Sequence, residues 1–93
     1  MDATQLLQDL IDLADEAGLR VRPLGRTEVD PTLPATSGVC RLRGEIWIVL
    51  AGSDSVEERI EVLSGALAEH AADFLEARWL PPALRARLSR FSL

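Results

Sequence analysis

Residues 37–74 read SGVCRLRGEIWIVLAGSDSVEERIEVLSGALAEHAADF, and this stretch decides the fold. Val39, Cys40 and Leu42 lead into Arg43-Gly44, and Glu45-Ile46-Trp47-Ile48-Val49-Leu50 returns, which is the pattern of a β-hairpin. Gly44 supplies the positive φ that a two-residue turn requires. The return strand is apolar on both faces from Ile46 to Leu50, as expected of a central strand covered by helices on at least one side. Ala51-Gly52 closes it, and Ser55 with Glu58 offers a capping box. Val56, Ile60, Leu63, Leu67, His70 and Phe74 then recur at spacings of four and three, which predicts one amphipathic helix of about five turns. Leu80-Pro81-Pro82 breaks that helix. Pro82 is placed to open a short terminal helix with Leu84, Leu88 and Phe91 facing inward.

Upstream, Asp2 and Gln5 form a capping-box-like start to a first helix with an apolar stripe of Leu6, Leu7, Leu10, Ile11, Leu13, Ala14 and Ala17. Gly18 stops it. Leu19-Arg20-Val21-Arg22 alternates as a half-buried strand does, until Pro23 ends it or marks an edge. Residues 25–37, with Gly25, Pro31, Pro34 and Ser37, read as a loop. The order is α-β-β-β-α-α. The expected fold is a single α+β domain over residues 1–93: a small, mainly antiparallel sheet of about three strands with an N-terminal helix, a long helix and a short C-terminal helix packed on it.

Ninety-three residues allow one core and little more, so pairing with a second copy or another protein is a natural route to extra stability. All ten basic residues are Arg, which with 12 Ala and 16 Leu is the composition of a GC-rich bacterial coding sequence. The net charge of −5 opposes nucleic-acid binding, which needs clustered positive charge. Charge is also polarised. Asp2, Asp9, Asp12, Asp15 and Glu16 crowd the first helix, while Arg78, Arg85, Arg87 and Arg90 crowd the last segment, so the two ends can pair within or between chains. The single cysteine, Cys40, leaves no internal disulfide. With no basic-then-apolar leader and no apolar run near the ~20 residues of a membrane span, a cytoplasmic location is expected, without a membrane.

The hairpin, the Glu57-Glu58-Arg59 helix start and the apolar Ile60, Val62 and Leu63 resemble the ImmA/IrrE-type zinc metallopeptidases. In that family the helix opens in a Glu-Arg-rich turn and carries His-Glu-x-x-His. Two His at i and i+4 share a face and bind zinc, and the adjacent Glu activates the metal-bound water. In this chain those positions hold Gly65, Ala66 and Glu69. A second fragment, Ala71-Ala72-Asp73-Phe74 with Trp79-Leu80-Pro81-Pro82, is similar to the family's later ligand helix, whose acidic third ligand falls on His70. The two fragments are far apart in the peptidases and abut here. The resemblance spans residues 37–82 and implies a degenerate scaffold without the zinc ligands, so the family's peptidase activity does not carry over.

Other chemistry is thinly supplied. His70, the one His, reads as a core-edge residue satisfied by a backbone or carboxylate partner. A metal site of His70, Glu69 and Cys40 needs two elements to converge, and a Cys40 nucleophile needs His70 within hydrogen-bond reach. Cys40 between apolar neighbours reads as structural. The acidic series Glu57, Glu58, Glu61, Glu69, Asp73 and Glu76 reads as a solvated helix face or an acidic docking face. Trp47, Trp79 and Phe91 are the interface candidates, since a domain this small cannot bury all of them deeply and Trp is favoured at interfaces. The sequence therefore points to a non-catalytic, cytoplasmic protein-interaction or regulatory module. It is expected to self-associate through a sheet edge or the C-terminal aromatic region, and to use no metal or cofactor. A small hydrolase or metal enzyme built on Cys40 and His70, and a DNA-binding regulator using the C-terminal arginines, are the alternatives.

Overall fold

Asp2 sits in extended conformation and its carboxylate accepts the backbone N–H of Gln5 at 2.9 Å, capping helix α1 (Ala3–Glu16). At the other end Gly18 takes φ +86°. The N–H of Leu19 donates to Ala14 and that of Gly18 to Asp15, which satisfies the last carbonyls as a Schellman motif does. In this computed structural model, residues 2–24 and 37–91 are described. Of the loop expected at 25–37, residues 25–36 lie outside them. Strands β1 (Arg20–Pro23), β2 (Gly38–Leu42) and β3 (Glu45–Leu50) are followed by helices α2 (Val56–His70), α3 (Ala72–Glu76) and α4 (Pro82–Ser89).

The α+β architecture is as expected, with β3 central in the order β1-β3-β2. The sheet is mixed: β2 pairs antiparallel with β3, but β1 pairs parallel to it, Arg20 beside Trp47 and Pro23 beside Leu50. A parallel neighbour requires a long return path. Here that path is everything between Leu24 and Glu45, hairpin strand included.

The hairpin turn is tighter in its demands than its glycine alone implies. Both central residues have positive φ, Arg43 at +52° and Gly44 at +80°, the geometry whose twist matches that of the strands. An ordinary residue with a Cβ, such as Arg43, is strained at such a position, whereas Asn tolerates it. Arg43→Asn should therefore raise stability by about 0.5–1 kcal/mol, read as a higher urea midpoint at unchanged slope.

Helices cover one face of the sheet. Ile48 and Leu50 from β3 join Leu6, Leu7, Leu10 and Leu13 of α1, Ile60, Leu63 and Leu67 of α2, Leu75 of α3, and Leu84 and Leu88 of α4 in one core. Val49 is also fully buried but belongs to the other sheet face. The helix expected to run unbroken from Val56 to Phe74 bends at Ala71, which takes φ −137° and ψ 27°. Ala71 N–H still donates to Leu67 and Ala71 C=O still accepts from Leu75. The bend therefore sacrifices little hydrogen bonding while it turns Leu75 into the core and leaves His70 at a helix end. No helix among the described residues is long and apolar enough to cross a membrane.

Candidate interaction surface

Trp79 is the most exposed large apolar side chain among the described residues, at 76%. The chain on either side of it is fixed. Leu80 is buried in the core. Arg78 lies 5.3 Å from the centroid of the Phe74 ring and pairs with Glu16 of α1. The short connection from α3 to α4 thus presents an indole to solvent from a braced backbone. Phe91 behaves differently: its ring rests on Gly65 of α2, where an added Cβ would come within 3.2 Å of Cε1. It is a partly exposed flap over the helix, held less deeply than Leu84 and Leu88.

Trp47 lies on the sheet face away from the helices. Its register neighbours are Arg20 on β1 and Cys40 on β2, and the Arg20 guanidinium pairs with Glu45 at 3.0 Å. Trp47 lines a shallow hollow of about 630 Å³ with Asp15, Leu19, Arg20 and Glu45, and a second of about 420 Å³ with Leu42, Arg43 and Glu45. Trp47 thus lies on the far sheet face, while Phe91 rests on α2 and Trp79 stands on the α3–α4 connection.

The residues considered for catalysis are not brought together. His70 lines a hollow with Ala17, Glu69, Ala71, Asp73 and Phe74, and Cys40 is not part of it. His70 is exposed at the end of α2, and its ring is 3.8 Å from the Glu69 carboxylate. Cys40 is half-buried on β2 against Trp47. Among the described residues no three of His, Cys, Asp and Glu gather as a metal ion would need. At the peptidase-like positions, Gly65 lies under Phe91, Ala66 is in the core and Glu69 is exposed.

Three of the four C-terminal arginines, Arg78, Arg87 and Arg90, meet acids of their own chain. Arg87 reaches Glu57 at 2.7 Å and Glu61 at 3.8 Å, and Arg90 reaches Glu61 at 2.9 Å. The hydrogen bond that Arg87 donates to the Glu57 carboxylate pushes the Arg87 pKa further up. Among the described residues, Arg78 is the one C-terminal arginine that bridges to the acidic first helix. Exposed pairs of this kind stabilise little, but they neutralise the charge that a phosphate backbone would need.

A feature without a sequence signal joins the start of β2 to the turn after β3. Ser37 Oγ accepts the N–H of Ala51 at 2.9 Å, and the Ser37 N–H donates to Asp54 at 2.9 Å. Arg59 donates to the carbonyls of Ala51 at 3.1 Å and Gly52 at 2.9 Å. These partners lie 7 to 17 residues apart, in a segment where periodicity carries no information.

In comparison with known proteins, no family model matches the chain, and no curated protein or solved structure matches it.

Proposed function

We propose that the chain is a non-catalytic protein-interaction module of the cytoplasm that self-associates, with Trp79, Phe91 and Trp47 as contact residues. Trp79 carries this reading. An indole held in water by a braced connection forgoes much of the stabilisation its burial would give, and burial in an interface recovers it. Interfaces place their largest free-energy contributions on such aromatic anchors. The separation of Cys40 from His70, and Gly65, Ala66 and Glu69 at the positions where the peptidases hold their ligands, support the non-catalytic part and fit a scaffold reused for binding.

The test separates folding from association. Trp79→Ala should leave the stability of the monomer within about 0.5 kcal/mol, because little of the ring is buried. A core Trp would cost about 3–5 kcal/mol. The same variant should weaken association seen by sedimentation equilibrium. A wild-type chain that stays strictly monomeric at hundreds of micromolar removes the self-association claim, and stoichiometric zinc or iron in the purified protein would overturn the non-catalytic one.

A further inference from the structure

Strand β2 forms one edge of the sheet, and among the described residues no strand pairs with its outer side. Around the two-residue turn, Leu42 with Glu45, Cys40 with Trp47 and Gly38 with Val49 are the hydrogen-bonded pairs. The N–H and C=O groups of Val39 and Arg41 therefore point away from β3. Val39 is also 41% exposed, on the helix side of the sheet but outside the core. Edges left open in this way, with an aliphatic residue where a blocking charge is usual, are templates for another strand.

We propose that this edge pairs antiparallel with the same edge of a second copy, about a two-fold axis passing beside Cys40. The result is a continuous six-stranded sheet with the helices of both copies on one side. The proposal rests on the self-association part of the reading above and seats it on the sheet edge rather than on Trp79, so a dimer that Trp79→Ala weakens and Val39→Lys leaves intact overturns this interface. The register follows from which donors are available. Val39 opposite Val39 would draw on Ser37, whose N–H is already held by Asp54. Arg41 opposite Arg41 would set two like charges against each other. Val39 opposite the second copy's Arg41 uses all the outward groups of both residues and avoids both conflicts.

Two consequences are specific to that register. Cys40 faces Cys40 in a non-hydrogen-bonded pair, where the Cα atoms are about 4.5 Å apart, within disulfide reach. The Arg43 turn of each copy also falls opposite Ser37 of the other, beside the Asp54 carboxylate that Ser37 holds, so unlike charges meet at both ends of the ladder. An isologous contact requires this self-complementarity.

The experiment uses the full chain, with sedimentation equilibrium and mild oxidation by diamide, which takes up the two thiol hydrogens as the S–S bond forms. A disulfide-linked dimer is expected in proportion to the dimer present, and none with Cys40→Ser. Val39→Lys should raise the dimer Kd by about tenfold or more and reduce cross-linking accordingly, with circular dichroism unchanged. If Val39→Lys fails to fold, Arg43→Glu, on the exposed turn, carries the test and should likewise weaken the dimer. In a Cys40→Ser background, Val39→Cys should not link to itself. A dimer in which Cys40 stays reduced, or in which Val39→Cys links instead, overturns this interface and leaves self-association standing. A strict monomer overturns both.

Discussion

Leu67→Ala should lower the unfolding free energy by about 3 kcal/mol, within the 2–5 kcal/mol typical of a fully buried leucine. Leu67 is 0% exposed and belongs to the single core shared by α1, α2, α3, α4 and β3. Its removal withdraws contacts from several elements at once, and its C=O anchors the bend by accepting from Ala71. A domain of this length has a total stability of roughly 5–14 kcal/mol, so the loss is a large share of it. Urea unfolding should show a lower midpoint at unchanged slope. A loss below about 1 kcal/mol would mean that α2 is not packed as described, because a deeply buried leucine has no inexpensive truncation.

Leu67 also shows why the fold was legible in the sequence. Its place in a stripe with Ile60 and Leu63, the Ser55 capping box, the Asp2 cap and the doubly apolar β3 are all local patterns, and each agrees with the packing observed. Periodicity sees which face is apolar, not where the backbone bends. Residues 67, 71, 74 and 75 suit one straight helix as well as two, so the break at Ala71 left no mark. The direction of β1 was equally hidden, since a four-residue strand reads the same parallel or antiparallel. Of the interface candidates, Trp79 proved exposed, Phe91 half-seated on Gly65 and Trp47 set on the far sheet face, because an aromatic residue states its need for burial but not its location. The straps from Ser37 and Arg59 were invisible because their partners are backbone groups and one carboxylate, which carry no pattern.

Ser37→Ala should be the most costly of the polar substitutions, at about 2 kcal/mol near neutral pH. It leaves the N–H of Ala51, a buried residue, without its acceptor, and an orphaned buried donor costs about 1–3 kcal/mol. The variant should also change the response to acid. The Ser37 hydroxyl, then the Ser37 N–H, and more weakly the Arg59 charge hold the Asp54 pKa below its ordinary value of 3.8. A carboxylate whose folded pKa is depressed adds stability above its unfolded pKa, and that contribution is lost as pH falls through the folded value. Removing the hydroxyl takes away the largest of those causes, so the folded pKa of Asp54 should rise toward 3.8 and its share of stability should shrink. The gap between wild type and Ser37→Ala should accordingly be widest at neutral pH and narrow below the ordinary carboxylate value, leaving the part due to the Ala51 N–H. Urea midpoints measured at neutral pH and near pH 3 check both parts. A gap that stays constant across that range would show that the hydroxyl serves Ala51 alone, and a gap that widens in acid would contradict the hydroxyl's lowering of the Asp54 pKa.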